Sequence, residues 1–163
     1  MAKAVTPLNA VNKNSNFLPQ DVQLWELRLL PIAASTAMEE GVALSTEVSG
    51  SSPTGNLIKA AATNANGQNI QGILAEPIAS TDSDYATAGK LKMVYVPKVQ
   101  GALAAFTVGA GTFTAADVGR MCNIHTDSKS LAVDTNGVGA IIRGYISSTR
   151  GLCSFDANKV VTA

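Results

Sequence analysis

The stretch Ser80–Pro97, STDSDYATAGKLKMVYVP, decides how this chain folds. Its first half places two carboxylates, Asp82 and Asp84, among hydroxyl groups and small residues. Its second half alternates with a period of two, so that residues 91, 93 and 95 share one face and 92, 94 and 96 the other, as in a β-strand. The stretch predicts a loop that delivers a strand to a sheet, and it raises the question whether the two carboxylates carry out chemistry.

Three roles for these carboxylates can be compared. A helix-loop-helix calcium site would start at Asp82 and Asp84, but Ala86, Thr87 and Met93 then occupy the positions of a ligand, a glycine and the final glutamate. A looser calcium site built from distant loops stays open. A general acid and base pair needs a pocket that separates the two pKa values, and no apolar walls surround these residues in the sequence. The pattern favours an Asx-type turn, in which the side chains bond nearby backbone N–H groups.

The rest of the chain also indicates β-structure. Short apolar or alternating segments are separated by turn residues about every 8 to 12 positions, which is typical of sandwiches and small barrels. We expect a bulged strand in residues 22–33, a turn over Gly50–Asn56, and one helical turn that Thr114 caps and Gly119 ends. No clear internal repeat is found. The predicted fold class is all-β, a small β-barrel or β-sandwich of about eight to ten strands, with an extended N-terminal arm.

The N-terminal arm, residues 1–21, differs from the domain predicted over residues 22–163. It contains Pro7, Pro19 and four asparagines, without periodicity, so alone it cannot bury enough apolar surface to fold. Its scattered apolar residues predict that it orders against a neighbouring chain, with a frayed terminus as the alternative. The predicted partner-binding residues are Val5, Leu8, Val11, Phe17 and Leu18.

Composition excludes several function classes. Twelve Lys and Arg balance twelve Asp and Glu, and the basic residues stand singly, so no electrostatic footprint for nucleic acid exists. No apolar run approaches the length of a membrane span, and the N-terminus lacks the apolar core of a secretory signal. Charged residues make up 15%, which suits a subunit of an assembly. Cys122 and Cys153 favour buried thiols, with a structural disulfide as the alternative.

Other candidates for chemistry are few. His125 is the single histidine, and a zinc site would need partners such as Cys122 and Asp127, but residues 122 and 125 of a strand point to opposite faces. Serine nucleophiles lack a G-x-S-x-G context, and GAGTFT at Gly109–Thr114 lacks the third glycine and the long helix of a dinucleotide loop. We therefore expect no catalytic residue, no metal site and no cofactor, and a small hydrolase or metal enzyme is the least favoured class.

Four stretches together resemble the capsid decoration, or cement, proteins of tailed bacteriophages. They are LRLLPIAASTAMEEGVALSTEVSG, IQGILAEPIASTDSDYATAGKLKMVYVPK, FTAADVGRMCNIHTDSKSLAVD and IIRGYISSTRGLCSF, and they cover about residues 27–155. The similarity lies in the order of a D-Y-A-T-A-G-K loop, an alternating strand, an F-T-x-x-D-V-G turn and a late strand with a tyrosine. No catalytic motif is among them.

The resemblance implies a structural virion protein. Such a protein binds the outer surface of the assembled phage head, stabilises the lattice of the major capsid protein, forms a homotrimer, and is made in the cytoplasm of the bacterial host. It implies neither a nucleic acid nor a membrane as partner. The alternative is a head fibre base or surface-binding module that recognises carbohydrate or a host surface, which would show clustered exposed aromatic residues.

Overall fold

The computed structural model describes residues 16–60 and 69–155 of the chain. Within them the chain forms β-strands and two single-turn 3-10 helices, Val22–Leu24 and Ala115–Asp117. The strands are β1 Leu18–Pro19, β2 Trp25–Ile32, β3 Ala43–Ser49, β4 Ser52–Lys59, β5 Ile70–Leu74, β6 Lys90–Pro97, β7 Ala104–Ala110, β8 Met121–Ile124, β9 Leu131–Asn136, β10 Ala140–Ser147 and β11 Arg150–Ser154. The predicted all-β class is confirmed.

Strands β2 to β6 close into a first barrel with the order β2-β4-β3-β5-β6. Antiparallel ladders join β3 to β4 and β5, and join β6 to β5 and β2. One parallel contact, Ile32 opposite Leu57, closes the ring between β2 and β4. The alternating strand predicted from residue 90 is β6, and it is the longest partner of β2.

Strands β7 to β11 form a second ring with the same connectivity. The sheet order is β1-β7-β11-β10-β8-β9, and β9 pairs back onto β7 in parallel, at Val108 opposite Leu131 and Ala110 opposite Ala132. Replacing β2, β3, β4, β5 and β6 by β7, β8, β9, β10 and β11 reproduces every pairing of the first barrel. The two halves of the chain therefore share one topology, and β1 is an addition to the second.

Backbone hydrogen bonds align the two barrels residue by residue. Gly41 donates its N–H to the carbonyl of Leu74 over 2.8 Å, and Gly119 donates to Ile142 over 2.7 Å. In return, the N–H of Leu74 donates to the carbonyl of residue 42, and the N–H of Ile142 donates to the carbonyl of residue 120, both over 2.9 Å. Both glycines have positive φ, 82° and 95°, which only glycine adopts without strain. They are equivalent residues 78 positions apart (119 − 41 = 78).

The repeat has a faint counterpart in the sequence. TAMEEG at Thr36–Gly41 and TAADVG at Thr114–Gly119 share threonine, alanine, an acidic residue and glycine at matching positions. The expectation of no internal repeat is wrong at the level of topology. It failed because the strands keep only their apolar character, and six residues are too few for the shared pattern to stand out.

A continuous apolar core joins the barrels. Tyr95 and Ile73 of the first barrel lie in the same buried cluster as Phe106 and Phe113 of the second. The indole N–H of Trp25 donates to the carbonyl of residue 103 over 3.0 Å, which ties β2 to the start of the second barrel. A smaller cluster, centred on Ile32 and Val94, fills the first barrel.

Several local expectations can be compared with the structure. The single helical turn after Thr114 is confirmed and Gly119 follows it with positive φ, but the capping side chain is Asp117, which accepts hydrogen bonds from the N–H and hydroxyl of Thr114. The turn predicted over Gly50–Asn56 is wrong beyond its first two residues, because β4 begins at Ser52. The bulge predicted in the strand over residues 22–33 is also wrong, because β2 pairs with β6 in unbroken register. Proline is tolerated at residue 31 because no described strand pairs with the side of β2 toward which its backbone nitrogen points.

Candidate functional site

The loop at residues 80–89 closes one end of the first barrel. Asp82 accepts a hydrogen bond from Ala79 N–H over 2.9 Å and returns its own N–H to the Ala79 carbonyl. Further turns follow where Tyr85 N–H bonds the Asp82 carbonyl and Thr87 N–H bonds that of Asp84. The side-chain-to-backbone turn predicted for this stretch is confirmed.

Two buried lysines of β6 hold this loop. Lys90 and Lys92 are only 5% and 9% exposed, and they face the barrel interior opposite Ile32 and Leu30. The Lys90 ammonium donates to the carbonyls of residues 33 and 85 over 2.8 and 2.9 Å. Burial lowers the pKa of Lys90, and the charge of Asp84 opposes that shift. Lys90 thus supplies the hydrogen-bond donor that these carbonyl groups need.

Asp84 is the second fixed point of the loop. Its carboxylate lies 2.8 Å from the Lys92 ammonium, and Glu76 lies 3.9 Å from the same group. The hydrogen bond from Lys92 holds the pKa of Asp84 below its ordinary value. The carboxylates of Asp82 and Asp84 therefore hold the loop in place through their contacts with Ala79 and Lys92. In residues 16–60 and 69–155, no group of three or more His, Cys, Asp or Glu side chains could hold a metal ion.

His125 lies in a polar cluster at the end of β8. Its Nδ1 is 3.5 Å from Asp127 Oδ2, longer than a hydrogen bond. The Ser130 hydroxyl donates to the same carboxylate at 2.8 to 2.9 Å. A nucleophilic triad needs the imidazole between the hydroxyl and the carboxylate. Here the Ser130 hydroxyl bonds the carboxylate directly and His125 Nδ1 makes no hydrogen bond, so the Ser130–His125–Asp127 order of a triad is not formed.

Cys122 and Cys153 lie in the shared core and form no disulfide. Burial raises the pKa of Cys122 to about 12. Because the thiolate is the reactive form, burial disfavours nucleophilic reaction of this thiol at neutral pH. Of the two alternatives predicted, buried thiols are the one observed.

A shallow groove of about 540 Å³ lies between the barrels. Met38, Val42 and Ile78 line its apolar floor. At its rim Lys129 bridges to Glu39 over 3.1 Å, which joins the two barrels and lowers the pKa of Glu39. Charges of both signs line the groove, so it presents no selective field for an anion or a cation.

The outer surface carries two groups of exposed apolar side chains that the sequence analysis did not single out. The ribbon comprises Leu27, Leu29 and Leu91, which are 44%, 57% and 58% exposed on the outside of β2 and β6. The second patch comprises Val118, Met121 and Val138 on the second barrel. A sequence signal existed for the ribbon: β6 has apolar residues on both faces, which a strand with one solvated face does not need.

Exposed aromatic residues are scarce in the described ranges. Tyr145 is exposed, but its ring packs 5.1 Å from that of Phe113. Trp25 and Tyr95 are buried. These residues form no aromatic cluster of the kind that stacks on sugars.

The five predicted partner-binding residues separate into two groups. Phe17 and Leu18 are 1% and 5% exposed, Phe17 packs edge-on against Phe155, and Leu18 pairs with β7. These two side chains belong to the chain's own core, because β7 offers a strand edge to them. Val5, Leu8 and Val11 lie outside the described residues, so their role stays a prediction.

In comparisons with known proteins, no protein-family model, curated protein or solved structure matches the chain. Among the described residues, no helix is long and apolar enough to cross a membrane.

Proposed function

We propose that this protein is a structural virion protein that binds the outside of an assembled phage head and stabilises the lattice of the major capsid protein. The observation that carries the proposal is an all-β body of two closed barrels that presents exposed apolar side chains on its surface. The sequence resemblance described above points to the same role.

The second patch is the surface we assign to the capsid shell. Val118, Met121 and Val138 come from neighbouring segments, because Gly137 N–H bonds the Met121 carbonyl and Gly139 N–H bonds that of Cys122. Contiguous exposed apolar side chains mark interaction surfaces. Backbone groups of Met121 and of the residues on both sides of Val138 are hydrogen-bonded within the second barrel, so we assign the contact with the shell to the side chains of the patch.

Stabilisation follows from preferential binding. A protein that binds the assembled lattice, and not the free subunit, shifts the equilibrium toward the assembled state by mass action. In a homotrimer, three copies of the second patch would engage the shell together, which adds avidity. The protein would be made in the host cytoplasm and end on the outer surface of the head, with the major capsid protein as its partner.

Binding to expanded phage heads tests the proposal. We expect purified protein to cosediment with expanded heads and to raise their disruption temperature. The variant Met121→Lys with Val138→Lys should bind at least tenfold more weakly, because buried charge is costly at an apolar contact. Ile146→Lys, at the other end of β10, is the matched control and should bind normally. No binding of the unmodified protein to any assembled lattice would overturn the proposal.

A truncation tests the arm separately. Deletion of residues 1–15 keeps Phe17 and Leu18, which the core requires. We expect the shortened protein to fold and to bind heads more weakly. Equal binding by the shortened protein would exclude Val5, Leu8 and Val11 from the contact.

A further inference from the structure

Among residues 16–60 and 69–155, one edge of strand β2 is largely without a partner strand. It pairs with β6 along its whole length, from Trp25 opposite Pro97 to Ile32 opposite Lys90. Its other edge meets β4 only at Ile32. No strand in the part of the chain that the structure describes pairs with residues 26–31 on that side. Unpaired N–H and C=O groups on such an edge are a template for an added strand.

Hydrogen bonds at the two ends of β2 show which residues face β6. Lys98, just after β6, donates to the carbonyl of Leu24, and Gly89, just before it, donates to that of Ile32. Both acceptors have even numbers. Because backbone groups alternate in direction along a strand, the even-numbered residues of β2 point toward β6.

The odd-numbered residues therefore point toward the open edge. Ala33 confirms this direction, because it donates its N–H to Leu57 of β4 over 2.9 Å. Leu27 and Leu29 accordingly direct their N–H and C=O groups outward, and Pro31 lies on the same side without an N–H to lose. An incoming strand of about four residues can pair here.

The second barrel shows what covers the equivalent edge. The 78-residue relation between Gly41 and Gly119 places Leu27 of β2 at Ala105 of β7. Ala105 pairs with Leu18 in antiparallel register, and Gln20 N–H donates to the carbonyl of residue 103 over 2.8 Å. An extended piece of N-terminal segment thus occupies on β7 the edge that is open on β2.

The ribbon supplies apolar surface beside this edge. Leu27 lies opposite Tyr95 and Leu29 opposite Met93, so these side chains share the outer face of the β2–β6 pair. Leu91 extends the same face. A strand added to β2 would place every second side chain next to the ribbon, which favours a segment with alternating or scattered apolar residues.

We propose that the open edge of β2 receives the N-terminal segment of a second copy of this chain, as an added antiparallel strand drawn from residues 4–11. Those residues, AVTPLNAV, include Val5, Leu8 and Val11. The fifteen residues before Asn16 span up to about 50 Å when extended, enough to reach a neighbouring molecule. Each copy has one segment and one edge, so every segment and every edge is paired when the copies exchange segments within a closed oligomer such as a trimer. The inference does not depend on capsid binding.

Cross-linking between different chains tests the pairing. One set of chains carries Val5→Cys, Leu8→Cys or Val11→Cys, and another carries Leu27→Cys; the two are mixed under mild oxidation. The native thiols, Cys122 and Cys153, are buried. We expect a covalent heterodimer with at least one segment position, and none when Val138→Cys, on the second barrel, replaces Leu27→Cys.

Two results would overturn the proposal. If no mixed pair forms a heterodimer, a second copy does not occupy the edge. If a cross-link forms only when both cysteines are on one chain, the chain's own segment covers the edge.

Variants at Leu29 separate the backbone contact from the side-chain contact. Leu29→Pro removes the outward N–H but no hydrogen bond to β6, and Leu29→Thr keeps the N–H while removing the apolar side chain. By analytical ultracentrifugation, we expect Leu29→Pro to weaken association at least tenfold more than Leu29→Thr does. Equal weakening would overturn strand addition. Thermal unfolding of each variant shows that it is folded. The proposed function is tested separately by head binding of Met121→Lys with Val138→Lys, which leaves the residues of the β2 edge unchanged.

Discussion

Asp84 and Lys92 form an ion pair of 2.8 Å across the mouth of the first barrel. The loop that contains Asp84 and the strand that contains Lys92 come from one continuous stretch of sequence, so the loop folds back onto its own strand. Lys90 adds hydrogen bonds to carbonyls at both sides of the mouth. The acidic loop is therefore a lid on the barrel, fixed by two interior lysines.

Substitution of Lys90 tests this role. Lys90→Met should lower the free energy of unfolding by about 2 kcal/mol, because the buried carbonyl of Ala33 loses its donor while the methionine fills similar space. The measurement is urea denaturation followed by circular dichroism. Lys98→Met, at an exposed lysine just beyond β6, should change stability by less than about 0.5 kcal/mol. Similar losses in both variants would contradict a specific role for Lys90.

The sequence was sufficient for the secondary structure of this region but not for its packing. Alternation in residues 90–97 identified β6, because the side-chain period of a strand is independent of its partners. The same alternation left open which face was inside. Lysines would be expected to face water, but Lys90 and Lys92 face the barrel interior, where loop carbonyls and Asp84 satisfy them. Those partners are set by tertiary structure.

The candidate surfaces were less predictable than the strands. Leu27 and Leu29 were read as ordinary strand residues, since a sequence does not show which edge of a strand remains unpaired. The scattered apolar residues of the arm predict that Phe17 and Leu18 bind a partner, yet both side chains are buried in this chain and Leu18 pairs with β7. Whether a strand edge or a terminal segment is paired within the chain depends on the order of the strands in the sheet, which involves residues far apart in the sequence.

Acid should destabilise the fold. The pKa values of Asp84, Asp117 and Asp127 lie below the ordinary value of 3.8. A hydrogen bond from Lys92 lowers the pKa of Asp84, and hydrogen bonds from Thr114 lower that of Asp117. At Asp127, hydrogen bonds from residues 129 and 130 outweigh the opposite effect of burial. Above 3.8 these groups are ionised in both states and their contribution is complete. As the pH falls through 3.8 toward the folded values, the unfolded state binds protons first, so stability declines.

The melting temperature at a series of pH values measures this effect. It should be nearly constant between about pH 7 and 5 and fall below about pH 4. In Asp127→Asn the fall should be shallower, because one linked carboxyl is gone. A melting temperature that rises on acidification would contradict the assignment.

The thiols should be unreactive in the folded protein. Cys122 is buried with a pKa of about 12, so almost no thiolate is present at neutral pH. Ellman's reagent should detect both cysteines in concentrated guanidinium chloride and neither in native buffer. Rapid reaction of either thiol without denaturant would show that the shared core opens locally.

The equivalent glycines should respond differently to the same substitution. Gly119→Ala should cost about 1 kcal/mol, the strain of a Cβ at positive φ, because nothing lies within 4 Å of the new atom. Gly41→Ala adds a collision with the Asn16 side chain and with the Phe17 carbonyl, 2.9 Å from the new Cβ. Its loss should exceed that of Gly119→Ala by at least about 1 kcal/mol.

Matched denaturation curves of the two variants make the comparison. Because Gly41 also accepts the Phe17 N–H at its carbonyl, its substitution should release the segment before β1. Faster proteolysis at residues 16–20 in Gly41→Ala than in Gly119→Ala would show this release. Equal stability losses with equal proteolysis would mean that the N-terminal segment contributes little to the first barrel, and that the two glycines serve only their turns.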